Sequence, residues 1–186
     1  MLNPINYVRL SATAAEKELK EQKDAFLAAY SDNALFIDDD HIKYFDRNHR
    51  KHSKDGSRTP LFYALWKVHK DKTSVRPVIS SCGSFAEIYS IFLDEMLKRL
   101  VQDVLSSYII SSDQLVNKLS TQFPTELPPG VMLFSIDAVG MYINIGTEHA
   151  LEVIGDFIRL YADEIDGLHL PQEFILAILK IVMERN

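Results

Sequence analysis

The residues that follow Gly83 limit the possible folds of this chain more than any other part of the sequence. Ser84 and Glu87 have the spacing of a capping box, in which two side chains satisfy backbone N–H groups at the start of a helix. Apolar side chains then recur at every third or fourth position: Phe85, Ile88, Tyr89, Phe92, Leu93, Met96, Leu97, Leu100, Val101 and Leu105. This spacing predicts one long helix with a single apolar face, which has to be buried against other elements.

Shorter helical patterns precede this helix. Residues 13–16, Thr-Ala-Ala-Glu, form a second capping box and predict a polar helix to about Tyr30. The three aspartates at 38–40 predict the cap of a short helix over residues 41–45, because acidic groups stabilise a helix amino terminus. We expect the polar and basic residues 48–59 to form a loop.

Further helices are predicted in the second half of the chain. A third capping box begins at Ser111 and opens a short helix. Apolar residues with helical spacing then predict two more helices, one over residues 150–161 and one over residues 171–183.

Strand patterns occur in two places. Residues 61–68 and 75–80 are short runs rich in aromatic and β-branched side chains, and the charged stretch between them is typical of a hairpin turn. Residues 131–136 form a nearly continuous apolar run that ends at Asp137. Such a run predicts a strand buried on both faces, with the carboxylate of Asp137 delivered to a cleft at its end.

Composition excludes several functional classes. The chain has 186 residues, 47% of them hydrophobic, which suffices for one substantial core. Cys82 is the single cysteine, so no internal disulfide and no cysteine-based zinc site is expected, and an intracellular compartment, nuclear or cytoplasmic, fits best. Neither a signal peptide nor an apolar stretch long enough to span a membrane is expected.

Charge is distributed unevenly along the chain. Residues 43–76 contain ten Lys or Arg and three Asp, a net charge of +7, which leaves −13 for the remainder of a chain whose total is −6. A polyanion responds to charge within a Debye length of about 10 Å, so this segment predicts phosphate or nucleic-acid binding despite the acidic total. A solvated basic loop without function is the alternative.

Residues 134–145, Phe-Ser-Ile-Asp-Ala-Val-Gly-Met-Tyr-Ile-Asn-Ile, resemble the first metal-binding motif of reverse transcriptases, in its Penelope-like retroelement form. The resemblance implies that Asp137 binds the two divalent ions, Mg²⁺ or Mn²⁺, used to transfer a nucleotide to a primer hydroxyl. It also implies that Tyr142 lies beneath the sugar of the incoming nucleotide and excludes a 2′-hydroxyl. Without the resemblance, an Asp after a strand is more often a turn or helix-cap residue, and Tyr142 an ordinary core aromatic.

The hairpin pattern adds a second resemblance, upstream and in the expected order. Residues 61–70 and 76–84 resemble the fingers hairpin of the same family, although Trp66 stands where the family usually has Pro. By this resemblance Lys67 and Arg76 reach the nucleotide triphosphate. A guanidinium matches phosphate oxygens with two hydrogen bonds, whereas an ammonium acts as a point charge. Taken singly, each cation is more simply a surface residue.

Residues 161–164, Tyr-Ala-Asp-Glu, imitate the Tyr-x-Asp-Asp signature that supplies the remaining carboxylates of reverse transcriptases. The last residue is Glu, however, and the segment follows a helical apolar pattern, whereas the signature belongs in a strand–turn–strand further downstream. Asp163 is therefore not expected to join Asp137. We expect the second half of the catalytic centre to lie beyond Asn186.

The sequence thus predicts an α+β chain, which the resemblance extends to a partial right-hand polymerase fold. Residues 1–60 form a helical extension and basic linker, 61–130 a fingers-like region, and 131–186 the first part of a palm. The implied function is that of a reverse transcriptase domain fragment from a retroelement, inactive alone, whose partners are an RNA template, a DNA primer and deoxynucleoside triphosphates. A non-catalytic nucleic-acid-binding remnant and a helical interaction protein are the alternatives.

Overall fold

The structure is mainly helical, with one two-stranded sheet. The computed structural model describes residues 11–55, 57–68, 74–125, 128–132, 134–138, 141–161 and 172–185. Within these ranges the elements are α1 (Ala12–Asp32), a 3-10 turn (Ala34–Phe36), α2 (Asp39–Asp55), β1 (Leu61–Lys67), β2 (Ser74–Ser80), α3 (Phe85–Val104), α4 (Ser112–Gln122), α5 (Met141–Asn144), α6 (Thr147–Tyr161) and α7 (Gln172–Arg185). The predicted α+β class is confirmed at this level.

Serine side chains cap α1 and α4. The Ser11 hydroxyl accepts a hydrogen bond from the Ala14 amide at 3.2 Å, so the cap of α1 lies two residues before the predicted cap at Thr13. At α4 the prediction is confirmed, because the Ser111 hydroxyl accepts from the Gln114 amide at 3.2 Å. Each bond satisfies one of the backbone donors that a helix leaves without an intrahelical acceptor.

The aspartate run before α2 acts as the predicted cap. One carboxylate oxygen of Asp38 accepts hydrogen bonds from the amides of Asp40, at 3.1 Å, and His41, at 2.8 Å. Partial burial opposes the effect, yet these bonds and the His41 ring hold the pKa of Asp38 below its usual value.

The loop predicted over residues 48–59 is wrong as far as Asp55, because α2 continues to that residue. The ring of His49 stacks on that of Phe85, with centroids 5.3 Å apart. Residues 48–55 are thus helical although they are polar and basic, because His49 packs against α3. Local composition does not reveal this contact.

The long helix after Gly83 forms as predicted. Its buried residues follow the predicted spacing: Phe85, Ala86, Ile88, Tyr89, Phe92, Leu93, Met96 and Leu100. Neither bond of the predicted capping box forms: the Glu87 carboxylate accepts from the amide of Gly83, one residue before the cap, at 2.8 Å, and the Ser84 hydroxyl makes no capping bond. Gly83 has φ +75°, in the left-handed region that favours glycine.

An aromatic cluster holds the helices together. The ring of Phe45 in α2 lies 5.2 Å from Tyr89, 5.1 Å from Phe92 and 5.5 Å from Phe174, measured between centroids. Phe26 of α1 stacks on Tyr89 at 4.2 Å. The core therefore joins α1, α2, α3 and α7. It contains residues from each of the three predicted segments, 1–60, 61–130 and 131–186.

The apolar run over residues 131–136 does not form the predicted strand. The described part of the chain has one sheet, made of β1 and β2, and the described residues of the run pair with neither strand. Met132, Phe134 and Ile136 are each more than 80% exposed. A strand buried on both faces needs neighbours that satisfy its backbone groups, and none is present among the described residues.

Truncation of Phe174 tests whether α7 belongs to the same cooperative unit as α3. We expect Phe174→Ala to lower the free energy of unfolding by about 3–5 kcal/mol, because it opens a cavity among Phe45, Tyr89 and Phe92. Urea unfolding followed by circular dichroism measures the change. Leu160→Ala, at an exposed position of α6, is the control and should cost less than about 0.5 kcal/mol. Equal losses in the two variants would contradict the packing of α7.

His49 makes stability depend on pH. Its Nε2 lies 2.9 Å from the Tyr89 hydroxyl oxygen, and burial is the main reason why the pKa of His49 is lowered, with Lys23 and His52 adding to the effect and Asp46 opposing it. The folded protein thus resists protonation at His49 more than the unfolded chain does. The contribution of His49 to the free energy of unfolding is therefore fully present above its unfolded pKa of about 6.5. It is lost as pH falls below that value.

We therefore expect His49→Phe to reduce the fall in the urea midpoint between pH 7.5 and pH 5.5. His149→Gln, which alters an exposed histidine of α6, should leave that fall unchanged. A wild-type midpoint that does not vary over this range would show that His49 plays no such role.

Candidate nucleic-acid interface

The hairpin places the two predicted phosphate-binding cations on the same face. β1 and β2 pair antiparallel, with Leu65 opposite Arg76 and Lys67 opposite Ser74. Directly opposed residues share a face, as do residues two apart along a strand, so Lys67 and Arg76 are diagonal neighbours. Such neighbours lie about 7–8 Å apart, within reach of long side chains.

Tyr63 lies on this face too, because it is two residues from Leu65 and stands opposite Val78. Tyr63, Leu65, Lys67 and Arg76 together are called the cationic face below. Arg76 is exposed and Lys67 is partly exposed, while Tyr63 is 40% exposed. An aromatic ring beside two cations is a combination that stacks on a base and pairs with phosphate.

The opposite face of the hairpin is apolar and also exposed. It carries Phe62, Ala64 and Trp66 from β1, with Ile79, Pro77 and Val75 opposite them. Trp66 is 67% exposed, yet β1 runs through it to Lys67 without interruption. Tryptophan at this position, where the family that the sequence resembles usually has proline, is therefore compatible with a regular strand, as expected for a residue with high β-propensity.

The basic segment over residues 43–76 is mostly ordered secondary structure rather than a loop. Arg47, Arg50 and Lys51 are exposed on α2, and Lys67 and Arg76 lie on the strands. Lys54 lies in the last turn of α2, and the three charged residues of the hairpin turn, Lys70, Asp71 and Lys72, lie outside the described residues. Much of the described positive charge is thus carried by α2 and the hairpin, which are regular elements, and this favours directional binding over diffuse attraction.

Asp137 directly follows the run in which the predicted strand does not form, and Tyr142 lies five residues further on. Asp137 is exposed, and the backbone of Tyr142 belongs to the single-turn helix α5. A search of the described residues for three or more His, Cys, Asp or Glu side chains placed to hold a metal ion finds none. The structure therefore brings Lys67 and Arg76 together but does not join Asp137 to further carboxylates within the described ranges.

The motif at residues 161–164 is described only at its first position. Tyr161 is the last residue of α6, and Asp163 and Glu164 lie outside the described residues. The ring of Tyr161 lies 5.0 Å from that of Phe157, as expected for a helical side chain packed along its own element. Its helical setting agrees with the expectation that this motif is not part of the catalytic site.

Arg58 lies in the basic segment, and the sequence does not predict it as a site residue. Its amide donates to the Gly83 carbonyl at 3.0 Å, and its Cδ would lie 3.4 Å from a β-carbon on Gly83. This contact ties the base of the hairpin to the start of α3. The sequence feature that could have predicted this contact is Gly83, since a glycine between a strand and a helix often allows close backbone approach.

Comparison of the chain with protein-family models, with curated proteins and with solved structures finds no match in any of the three.

Cys82 is a free, exposed thiol. Among the described residues, no helix combines the length and the hydropathy needed to cross a membrane.

Binding of a single-stranded oligonucleotide tests the cationic face. We expect Arg76→Ala to weaken binding about tenfold, because it removes a charge-assisted hydrogen bond. The slope of log affinity against log salt concentration should become shallower by about 0.7, the value for one phosphate contact on a single strand. Fluorescence anisotropy at several salt concentrations measures both quantities.

Arg47→Ala is the matched control, since it removes an exposed arginine from α2 and changes the net charge equally. It should weaken binding less than twofold. Equal losses in the two variants would mean that binding is diffuse attraction to a basic protein rather than contact with the hairpin.

Proposed function

We propose that this chain is part of a reverse transcriptase of a retroelement, comprising its fingers and the first part of its palm, and that its hairpin binds the phosphates of nucleotides or nucleic acid. The observation that carries the proposal is the register of β1 and β2, which places Lys67 and Arg76 side by side on one face. The sequence resemblance requires these same two residues to meet one triphosphate. A hairpin slipped by one residue would have turned one of them to the opposite face.

Arg76 and Lys67 contribute in different ways to the proposed binding of a polyphosphate. Arg76 is suited to bidentate hydrogen bonds with two phosphate oxygens, and Lys67 adds a mobile positive charge two residues further towards the hairpin tip. Tyr63, on the same face, offers an aromatic surface to a base. Rigid pairing of the strands holds these groups in place before the ligand arrives, which reduces the entropy lost on binding.

For catalysis, Asp137 would bind the divalent ions and Tyr142 would discriminate against a ribose. These roles rest on the sequence resemblance, and Mg²⁺ or Mn²⁺ is proposed on the same basis. Two divalent ions carry four positive charges, which one carboxylate cannot offset, so further carboxylates must join Asp137 before chemistry can occur.

A second candidate is binding of nucleic acid without catalysis. Its support is the exposed position of Asp137, outside any described group of carboxylates, combined with an ordered hairpin that keeps both its cations and its aromatic residues. The two candidates agree about Lys67 and Arg76 and differ about Asp137.

Primer extension distinguishes the two candidates. We expect residues 1–186 to bind a primer–template and to show no extension above background with Mg²⁺ or Mn²⁺. Extension that Asp137→Asn abolishes would contradict this expectation and would require a complete metal site within the chain.

The second arm of the primer-extension experiment uses a longer protein that includes this chain. If the polymerase proposal is right, Asp137→Asn abolishes its extension activity and Tyr142→Ala relaxes discrimination between deoxynucleotides and ribonucleotides. If that longer protein binds nucleic acid through Arg76 but extends no primer, binding without catalysis is the function.

A further inference from the structure

A second polar cluster lies at the start of α3, beside the segment that precedes β1. It consists of His52 near the end of α2, Ser57 and Arg58 from the segment that follows, and Ser84 at the α3 cap, and it is called the α3-cap cluster below. The Arg58 amide bonds to the Gly83 carbonyl at 3.0 Å, and the His52 ring meets the Phe85 ring edge to face with centroids 6.2 Å apart. Three separate stretches of the chain therefore converge on one helix terminus.

Three buried polar atoms of this cluster have no hydrogen-bond partner among the residues that the structure describes: His52 Nδ1, Ser57 Oγ and Ser84 Oγ. Ser84 is fully buried. A hydroxyl at a helix cap normally accepts from an amide of the first turn, but here the Glu87 amide donates to the Ser84 carbonyl instead, at 3.2 Å. Burying a polar group without a hydrogen-bond partner destabilises the fold. A ligand that supplies the missing partner recovers that free energy when it binds.

The charge around the cluster favours an anion. Arg58 is exposed beside Gly83, and the Lys23 ammonium lies 5.4 Å from the centroid of the Phe85 ring. The amino terminus of the 20-residue α3 adds about half a positive charge and backbone N–H groups that have no intrahelical acceptor. Glu87 contributes one negative charge, which already accepts from Gly83. Positive charge therefore predominates, as in known anion sites at helix termini.

We propose that the α3-cap cluster binds a terminal phosphate group, either free phosphate or the phosphate at the end of a nucleotide or nucleic-acid strand. The hydroxyls of Ser57 and Ser84 donate to its oxygens, His52 donates through Nδ1, and the Arg58 guanidinium pairs with it from the solvent side. The Arg58 side chain lies beside Gly83, at the entrance to the start of α3. A terminal phosphate has three free oxygens to accept from these donors, whereas a doubly esterified phosphate has only two.

This inference is independent of the polymerase proposal, because it uses none of Lys67, Arg76, Asp137 or Tyr142. Its test is titration of the chain with inorganic phosphate at constant ionic strength, followed by amide NMR and calorimetry. Saturable binding should shift the amide signals of Phe85 and Ala86. Arg58→Gln should weaken binding about tenfold or more and Ser84→Ala about fivefold, as expected for the loss of hydrogen bonds to a charged ligand.

Two matched variants serve as controls. Arg47→Gln removes the same charge from the exposed surface of α2, and Ser107→Ala removes an exposed hydroxyl beyond the end of α3. Each should change affinity less than twofold. Ser84→Ala deletes a hydroxyl without a described partner, so its thermal midpoint should not fall, which separates lost binding from lost folding.

A pair of oligonucleotides, identical except for a 5′-phosphate, distinguishes the two sources of the ligand. If the 5′-phosphate tightens binding and Arg58→Gln removes the gain, the site takes nucleic-acid ends. If inorganic phosphate binds but the 5′-phosphate adds nothing, the site takes a small phosphate. No saturable phosphate binding, equal losses in Arg58→Gln and Arg47→Gln, or full affinity in Ser84→Ala would each overturn the proposal.

Discussion

The aromatic cluster around Phe45 is the interaction on which the other described elements depend. Phe45 contacts rings from α3 and α7, and Tyr89 of α3 stacks on Phe26 of α1. Aromatic side chains bury large areas and pack best in tilted or offset arrangements, so a few of them can join four helices. Elements far apart in sequence are thereby fixed to one side of α3, and the start of α3 in turn positions the base of the hairpin.

The hairpin itself gains little from that core. Both of its faces expose large side chains, among them Leu61, Leu65 and Trp66. Two strands alone are marginally stable, so the contact between Arg58 and Gly83 and the continuation of β2 towards α3 matter for holding it. The same exposure leaves the cationic face accessible to solvent, as the proposed binding of a ligand requires.

Two errors of prediction have a common physical origin. The run over residues 131–136 has the composition of a buried strand, but burial of a strand requires partners, and no local pattern specifies whether they are present. Residues 48–55 have the composition of a loop, yet they are helical because His49 packs on Phe85. In both cases contacts between distant residues, or their lack within the described ranges, overrode local preference.

The sequence by itself determined the elements whose signals are local: the apolar face of α3, the caps at Asp38 and Ser111, and the two strands of the hairpin. It also selected Lys67 and Arg76 as candidate phosphate ligands. Only the tertiary structure decided that these two cations share a face, since side-chain direction in a hairpin depends on register. It alone gathered His52, Ser57, Arg58 and Ser84 at the start of α3, because their proximity comes from the packing of α2 on α3 and not from spacing along the chain.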